Sequence, residues 1–102
     1  MIFNTIYRPT GRTYYCRFVR QVDNYIWDDN AEALAAAPSW ANSAVDMDET
    51  SGTGQYPIVI PTNLTKGVIY DAVVYLQAGA SPANSDTVDN GYEFKYGGKF
   101  GF

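Results

Sequence analysis

The feature that most limits what this chain can fold into is the period of its apolar residues. In "TYYCRFVRQV", residues 13–22, alternation puts Tyr14, Cys16 and Phe18 on one side of an extended chain and Tyr15, Arg17 and Val19 on the other. The first set is expected to face a core and the second to face out. Arg20 breaks the alternation, so a bend or end is expected there. In "QYPIVIP", Tyr56, Ile58 and Ile60 share a face, while Pro57 and Pro61 lie on the other. Neither proline can donate to a ladder, which favours a sheet edge. "YEFKY" repeats the pattern with Tyr92, Phe94 and Tyr96, and Val45 and Met47 alternate with Asp46 and Asp48. "VIYDAVVYLQ" is apolar on both sides, as a central strand is. Turn chemistry separates these runs: "YRPTG", "DN", "TSGTG", "TNLTKG" and the long "AGASPANSDTVDNG".

Short alternating runs between turns predict an all-β chain, an antiparallel β-sandwich or small barrel of about 6–8 strands. "DDNAEALAAAP" is the place for at most one short helix, around 30–37. There Asn30 or Asp29 can cap, Glu32 sits in the first turn, and Pro38 stops it after about two turns. No repeat is visible, and 102 residues suit one domain. The expected division is an extended N-terminal arm over 1–12, a β-sandwich domain over 13–99 and a C-terminal tail over 100–102.

The composition argues against most chemistry. There is no His, the commonest general base and metal ligand. One cysteine, Cys16, rules out an intrachain disulfide, and its place between Tyr14 and Phe18 predicts a buried structural thiol. The carboxylate clusters are Asp28–Asp29 and Asp46–Asp48–Glu49. Asp46 and Asp48 would share a strand face, but a glycosidase pair needs a cleft between carboxyl groups about 5–10 Å apart, and so small a domain has little room for one. The oxygen-rich stretches "DMDETSGTG" and "SDTVDNG" lack the spacing of a helical calcium loop. No glycine-rich segment follows a strand and opens a helix, so no phosphate loop is expected. We expect no enzyme, no cofactor and no metal.

The net charge of −4 disfavours nucleic acid. No apolar run is long enough for a membrane helix, and no signal peptide is visible. The start at Met1 suggests a whole gene product. Residues 1–22 carry Arg8, Arg12, Arg17 and Arg20 without an acid, and residues 23–49 carry Asp23, Asp28, Asp29, Glu32, Asp46, Asp48 and Glu49 without a base. Neighbouring strands that offset each other within one subunit explain this; faces meeting between subunits are the sharper alternative. Trp27, Trp40, Tyr56, Tyr70, Tyr75 and Tyr92 serve either as core or as rings that stack on sugars.

The segments "GQYPIVIP", "AVVYLQAGASPANSDTV" and "YEFKYGG" resemble a small β-domain that recurs in structural proteins of tailed bacteriophages. Members often show a Gly-Tyr-Tyr-like strand ending in Pro, then a "VVVY" strand. A Gln-Ala-Gly-x-x-Pro loop, Asp-x-x-Val and a strand ending near Trp-Asp-Gly follow. "YYCRFVRQVDNYIWDD" is similar to the opening hairpin and "SWANSAVDMDE" to the strand after it. The likeness covers about residues 13–99. It departs at Tyr96-Gly97, where Trp-Asp is usual, and at the extra ends.

The resemblance implies a non-enzymatic virion protein, assembled in the bacterial host cytoplasm. It would be a small accessory subunit that decorates or cements the capsid or the neck and tail. Its partners would be other virion proteins and further copies of itself, with no nucleic acid and no membrane. A carbohydrate- or receptor-binding module of a phage tail is the alternative, with a glycan as partner. The apolar and basic ends, Ile2, Phe3, Ile6, Tyr7, Arg8, Arg12, Phe100 and Phe102, are the expected partner-binding residues. In the long loop, Gln77 and Asp86 are placed to hydrogen-bond backbone groups and fix its ends.

Overall fold

The structure is a computed structural model and describes residues 2–97. Among these residues the chain forms β1 (Ile2–Tyr7), β2 (Tyr14–Arg20), β3 (Ile26–Asp28), β4 (Ala33–Ala35), a helical turn α1 (Trp40–Ser43), β5 (Val45–Met47), β6 (Gln55–Val59), β7 (Ile69–Leu76) and β8 (Thr87–Lys95). All pairings are antiparallel, and the chain is the small all-β sandwich that alternation predicts.

The larger sheet has the order β4-β3-β2-β7-β8. Its centre is the long ladder of β2 on β7, running from Tyr14↔Leu76 to Arg20↔Tyr70. The other edge of β2 is shared: β5 pairs with its first residues, Tyr14↔Met47 to Cys16↔Val45, and β3 meets it at Val19↔Ile26. The smaller sheet is the ribbon β1-β6, in register from Asn4↔Ile58 to Tyr7↔Gln55 beyond a register shift between Ile2 and Asn4. Its Ile6, Tyr56 and Ile58 pack on Tyr14, Cys16, Phe18, Tyr70, Ala72 and Val74 of the larger sheet. Tyr14 meets the Tyr56 ring edge-on at 4.7 Å, an arrangement worth more than the area it buries.

Ile2–Tyr7, within the expected arm, is therefore part of the sandwich. β1 supplies the ladder partner of β6, and Pro57 sits opposite Thr5 in a strand paired on one side among the described residues, where its missing N–H costs nothing. The turn after β1 is tied down by Tyr56, whose hydroxyl donates to the Pro9 carbonyl at 2.8 Å and accepts from the Arg12 N–H at 3.2 Å.

Gly54 closes the same corner. It has φ +72°, its carbonyl accepts from the Arg8 N–H at 2.9 Å, and a Cβ there would run into the Arg8 carbonyl oxygen. Both a left-handed backbone and a close approach require glycine. Gly54→Ala is expected to lower the unfolding free energy by about 1–3 kcal/mol in urea titrations. An unchanged midpoint would mean the corner re-forms without that contact.

The short helix is displaced from its expected place. Residues 30–37 do not form it; Ala33–Ala35 pairs back on β3, from Ile26↔Ala35 to Asp28↔Ala33. The Asp28 carboxylate accepts the N–H groups of Asn30 and Ala31, and Glu32 takes φ +55°, which makes a hairpin turn. The helix propensity of "ALAAA" amounts to tenths of a kcal/mol per residue. That is too little to nucleate two turns when the hairpin also packs Leu34 against the core. The helical turn forms later, where Ser39 caps it by accepting the Asn42 N–H. The strand expected over Val45–Met47 begins directly after it.

Candidate functional site

Tyr15 is the second correction. Alternation assigns it to the outward face, and it does leave the main core, yet it is fully buried. The helical turn and the long loop cover this part of the sheet's other face. The Tyr15 ring stacks on Tyr75 at 5.2 Å, and Trp40 meets Tyr75 edge-on at the same separation. The Tyr15 hydroxyl accepts from Trp40 Nε1 at 2.9 Å and donates to the Asp86 carboxylate at 2.7 Å. Arg17 lies over the Trp40 ring, 3.7 Å from its centre, and its Nε donates to Ser43 Oγ. Ser43 Oγ in turn donates to the Trp40 carbonyl.

Asp86 is the hub of the long loop. Besides Tyr15, it accepts the N–H groups of Ala78 at 3.1 Å and Ala83 at 2.9 Å. Gln77 Nε2 donates to the Gly79 carbonyl. The loop ends are thus held by the two residues whose side chains suit that role.

Burial is the main cause of a Tyr15 pKa pushed up to about 12; the Trp40 N–H works against the shift and the Asp86 carboxylate adds to it. A raised folded value means the fold favours the neutral phenol. Its contribution is complete below pH 10 and is lost as pH rises toward 12. An ultraviolet titration is expected to show one phenol ionising near pH 12 that Tyr15→Phe removes. If the late-titrating phenol survives in the variant, it is not Tyr15.

A cavity of about 360 Å³ opens beside the loop, lined by Arg12, Tyr14, Asp46, Asp48, Gln77 and Pro82 among others. Asp46 and Asp48 are exposed on either side of buried Met47, as the alternation requires. Three carboxylates, Asp46, Asp48 and Glu49, line the cavity against one guanidinium, Arg12, so its charge balance is acidic. Glu49 holds the fold together locally, since its carboxylate accepts the N–H groups of Gly11 and Gly54 and so joins the turns before β2 and β6. No group of three or more Asp, Glu, Cys or His residues among the described residues is placed to hold a metal ion. The two acids of "SDTVDNG" have separate partners, Asp86 in the loop and Asp89 on Arg8.

The expected partner-binding residues divide. Ile6 is buried in the core and has no surface to offer a neighbour. Tyr7 is 67% exposed. Arg8 forms an ion pair with Asp89 of β8 at 2.6 Å, and Arg12 donates to the Tyr14 hydroxyl at 3.3 Å from the cavity rim. Ile2 and Phe3 lie in β1, but their side chains are outside the described part, as are Phe100 and Phe102. The basic block is largely used within the chain, since Arg20 also pairs with Asp23 at 2.7 Å. The candidate sugar-stacking rings are likewise spent on packing. Trp27, Tyr56, Tyr70 and Tyr75 are buried, Tyr92 is half-buried, and Arg17 covers one face of half-buried Trp40.

Cys16 is fully buried, and burial pushes its thiol pKa up, which makes it unreactive. Sequence reasoning missed the Tyr15–Trp40–Tyr75 cluster. The surplus of aromatic residues in "TYYCRFV" and "VVYLQ" was the signal, because a solvated sheet face needs no paired tyrosines. Compared with protein families, with curated proteins and with solved structures, the chain matches none of them.

Proposed function

We propose that this chain is a non-enzymatic structural subunit of a bacteriophage virion that decorates or cements the capsid or the neck and tail through protein–protein contacts. One observation carries the contact part of this reading. The Arg8–Asp89 ion pair ties the end of β1 to β8, and the chain neighbours of its two members, Tyr7 and Val88, are 67% and 57% exposed. Exposed apolar side chains next in the chain to a partly shielded ion pair suit a contact surface. β1 and β8 each have one ladder partner among the described residues, so both are open sheet edges that a neighbour can pair with. The virion assignment rests on the resemblance of residues 13–99.

The test is mass in solution by light scattering. The full chain is expected to be a defined oligomer, and Tyr7→Lys with Val88→Lys is expected to be a monomer with an unchanged circular dichroism spectrum. If the full chain is itself a monomer, self-assembly through this surface is wrong. A glycan array then decides for or against the receptor-binding alternative.

A further inference from the structure

Asn90-Gly91 is the one place in the sequence where an asparagine precedes a glycine, and it lies inside β8 rather than in a turn. Both residues are exposed. The backbone of Tyr96 shows which way the N–H groups of this strand point. Its N–H donates to the Val68 carbonyl at 3.1 Å, and its carbonyl accepts the Gly67 N–H at 2.8 Å, so both face the β7 side. Hydrogen-bonded and non-hydrogen-bonded pairs alternate along an antiparallel ladder, and the register runs unbroken from Ile69↔Lys95 to Val74↔Asn90. The Gly91 N–H therefore points away from β7, toward an edge that no described strand covers.

What it meets there is the side chain before it. The Gly91 N–H donates to Asn90 Oδ1 at 2.8 Å, and Asn90 Nδ2 donates to the Tyr92 hydroxyl at 2.9 Å. The carboxamide is thus held with its oxygen against the Gly91 nitrogen and its amine turned to Tyr92. Its carbonyl carbon, Cγ, is one bond from that oxygen. A Cβ on Gly91 would meet nothing within 4 Å, so the space beside the nitrogen is open to water. A strand ordinarily protects an asparagine by tying up the next N–H and by locking the backbone. Here the ladder leaves that N–H out, and the register shift between Val74 and Tyr75 leaves Asp89 with no residue opposite it, which loosens the backbone before Asn90.

We propose that Asn90 is a self-modification site, at which the Gly91 nitrogen closes on the Asn90 side chain and converts it to an aspartyl or β-aspartyl residue. Hydroxide takes the Gly91 amide proton, and the nitrogen attacks Cγ to form an N–Cγ bond. The Cγ–Nδ2 bond breaks, and the amine leaves as ammonia with a proton from water, which restores the hydroxide. Water then opens the succinimide ring. Attack at Cγ gives aspartate, and attack at the main-chain carbonyl carbon gives β-aspartate, which adds one carbon to the backbone of β8. Either product sets a new carboxylate next in the chain to Asp89, the partner of Arg8. The conversion needs only water and does not rest on the virion reading.

The test is ageing of the full chain in warm, mildly alkaline buffer, followed by peptide mapping with mass spectrometry. Asn84, exposed in the long loop and followed by Ser85, is the internal reference. Asn90 should lose its amide at least about tenfold faster than Asn84, and about as fast as it does in the same chain unfolded in urea. Both aspartyl and β-aspartyl peptides should appear. Gly91 has no left-handed φ and has room for a Cβ, so Gly91→Ala should keep its circular dichroism spectrum. It should slow the loss by about tenfold or more, because the added methyl group crowds the attacking nitrogen. Loss at Asn90 no faster than at Asn84 would overturn the proposal. So would a folded chain that reacts about tenfold more slowly than the unfolded one, since the strand would then be shielding the pair. A Gly91→Ala rate equal to that of the unaltered chain would overturn it as well.

Discussion

A chain lacking residues 1–7 is expected to lose its folded state altogether. β6 would lose its ladder, which runs from the level of Ile2 to Tyr7↔Gln55. Ile6 would leave a hole beside Tyr56 and Ile58, and those two core residues would be left on a single unsupported strand. A two-stranded ribbon reduced to one strand has no hydrogen-bonded partner for its backbone, and unpaired buried groups are expensive. The loss is expected to exceed the whole stability margin of about 5–15 kcal/mol typical of small domains. Circular dichroism and urea titration of the truncated chain check this. A cooperative transition near that of the full chain would show that the larger sheet is a domain without the ribbon. It also follows that the mass of a truncated chain says nothing about assembly, because unfolding and dissociation would be confounded. Single substitutions at exposed Tyr7 and Val88 separate the two.

Replacing Asp86 by Ala is expected to release the long loop while leaving the sheets in place. The substitution removes the common acceptor of the Ala78 and Ala83 N–H groups and of the Tyr15 hydroxyl. Charge-assisted bonds of this kind are about twice as strong as neutral ones. Hydrogen exchange at Ala78 and Ala83 should accelerate by about ten- to a hundredfold, with amides of the β2–β7 ladder unchanged. Uniform acceleration across both would show that the loop is not a separate unit.

The same lock carries a pH signature. The Ala83 N–H first, then the Tyr15 hydroxyl and the Ala78 N–H, hold the Asp86 pKa below its ordinary value of 3.8. A depressed folded value means the stabilisation is complete above the unfolded value and is lost as pH falls through the folded one. Exchange in the loop should therefore be flat above about pH 4 once intrinsic rates are removed, and it should rise in stronger acid. A loop already open at neutral pH would contradict the Asp86 assignment.

The legible part of this protein was the part written with a period of two. The core faces of β2, β6 and β7 follow from alternation, since neighbouring side chains of an extended chain must point to opposite sides. Tyr14, Cys16 and Phe18, Tyr56, Ile58 and Ile60, and the central place of "VIYDAVVYLQ" all stand as read. Gln77 and Asp86 were legible for a different reason, because short polar side chains at loop ends bond to nearby backbone whatever the rest of the chain does.

What the tertiary structure decided was which elements cover which faces, and that is a long-range matter. Tyr15 reads as outward because alternation assigns sides and cannot say whether a side is wet. Trp40, 25 residues away, and Asp86, 71 residues away, make it dry. "ALAAA" reads as helix because local propensity favours it, but a hairpin that buries Leu34 and satisfies its backbone against β3 outweighs tenths of a kcal/mol per residue. Residues 1–12 read as an arm because the partner of Ile2–Tyr7, β6, lies about 50 residues downstream, and no local pattern reveals a pairing across that distance. Sequence by itself determined the class of fold and the faces of its strands, through sterics that act between adjacent residues. Packing between distant segments decided where the surface is, and with it which residues are left to meet a partner.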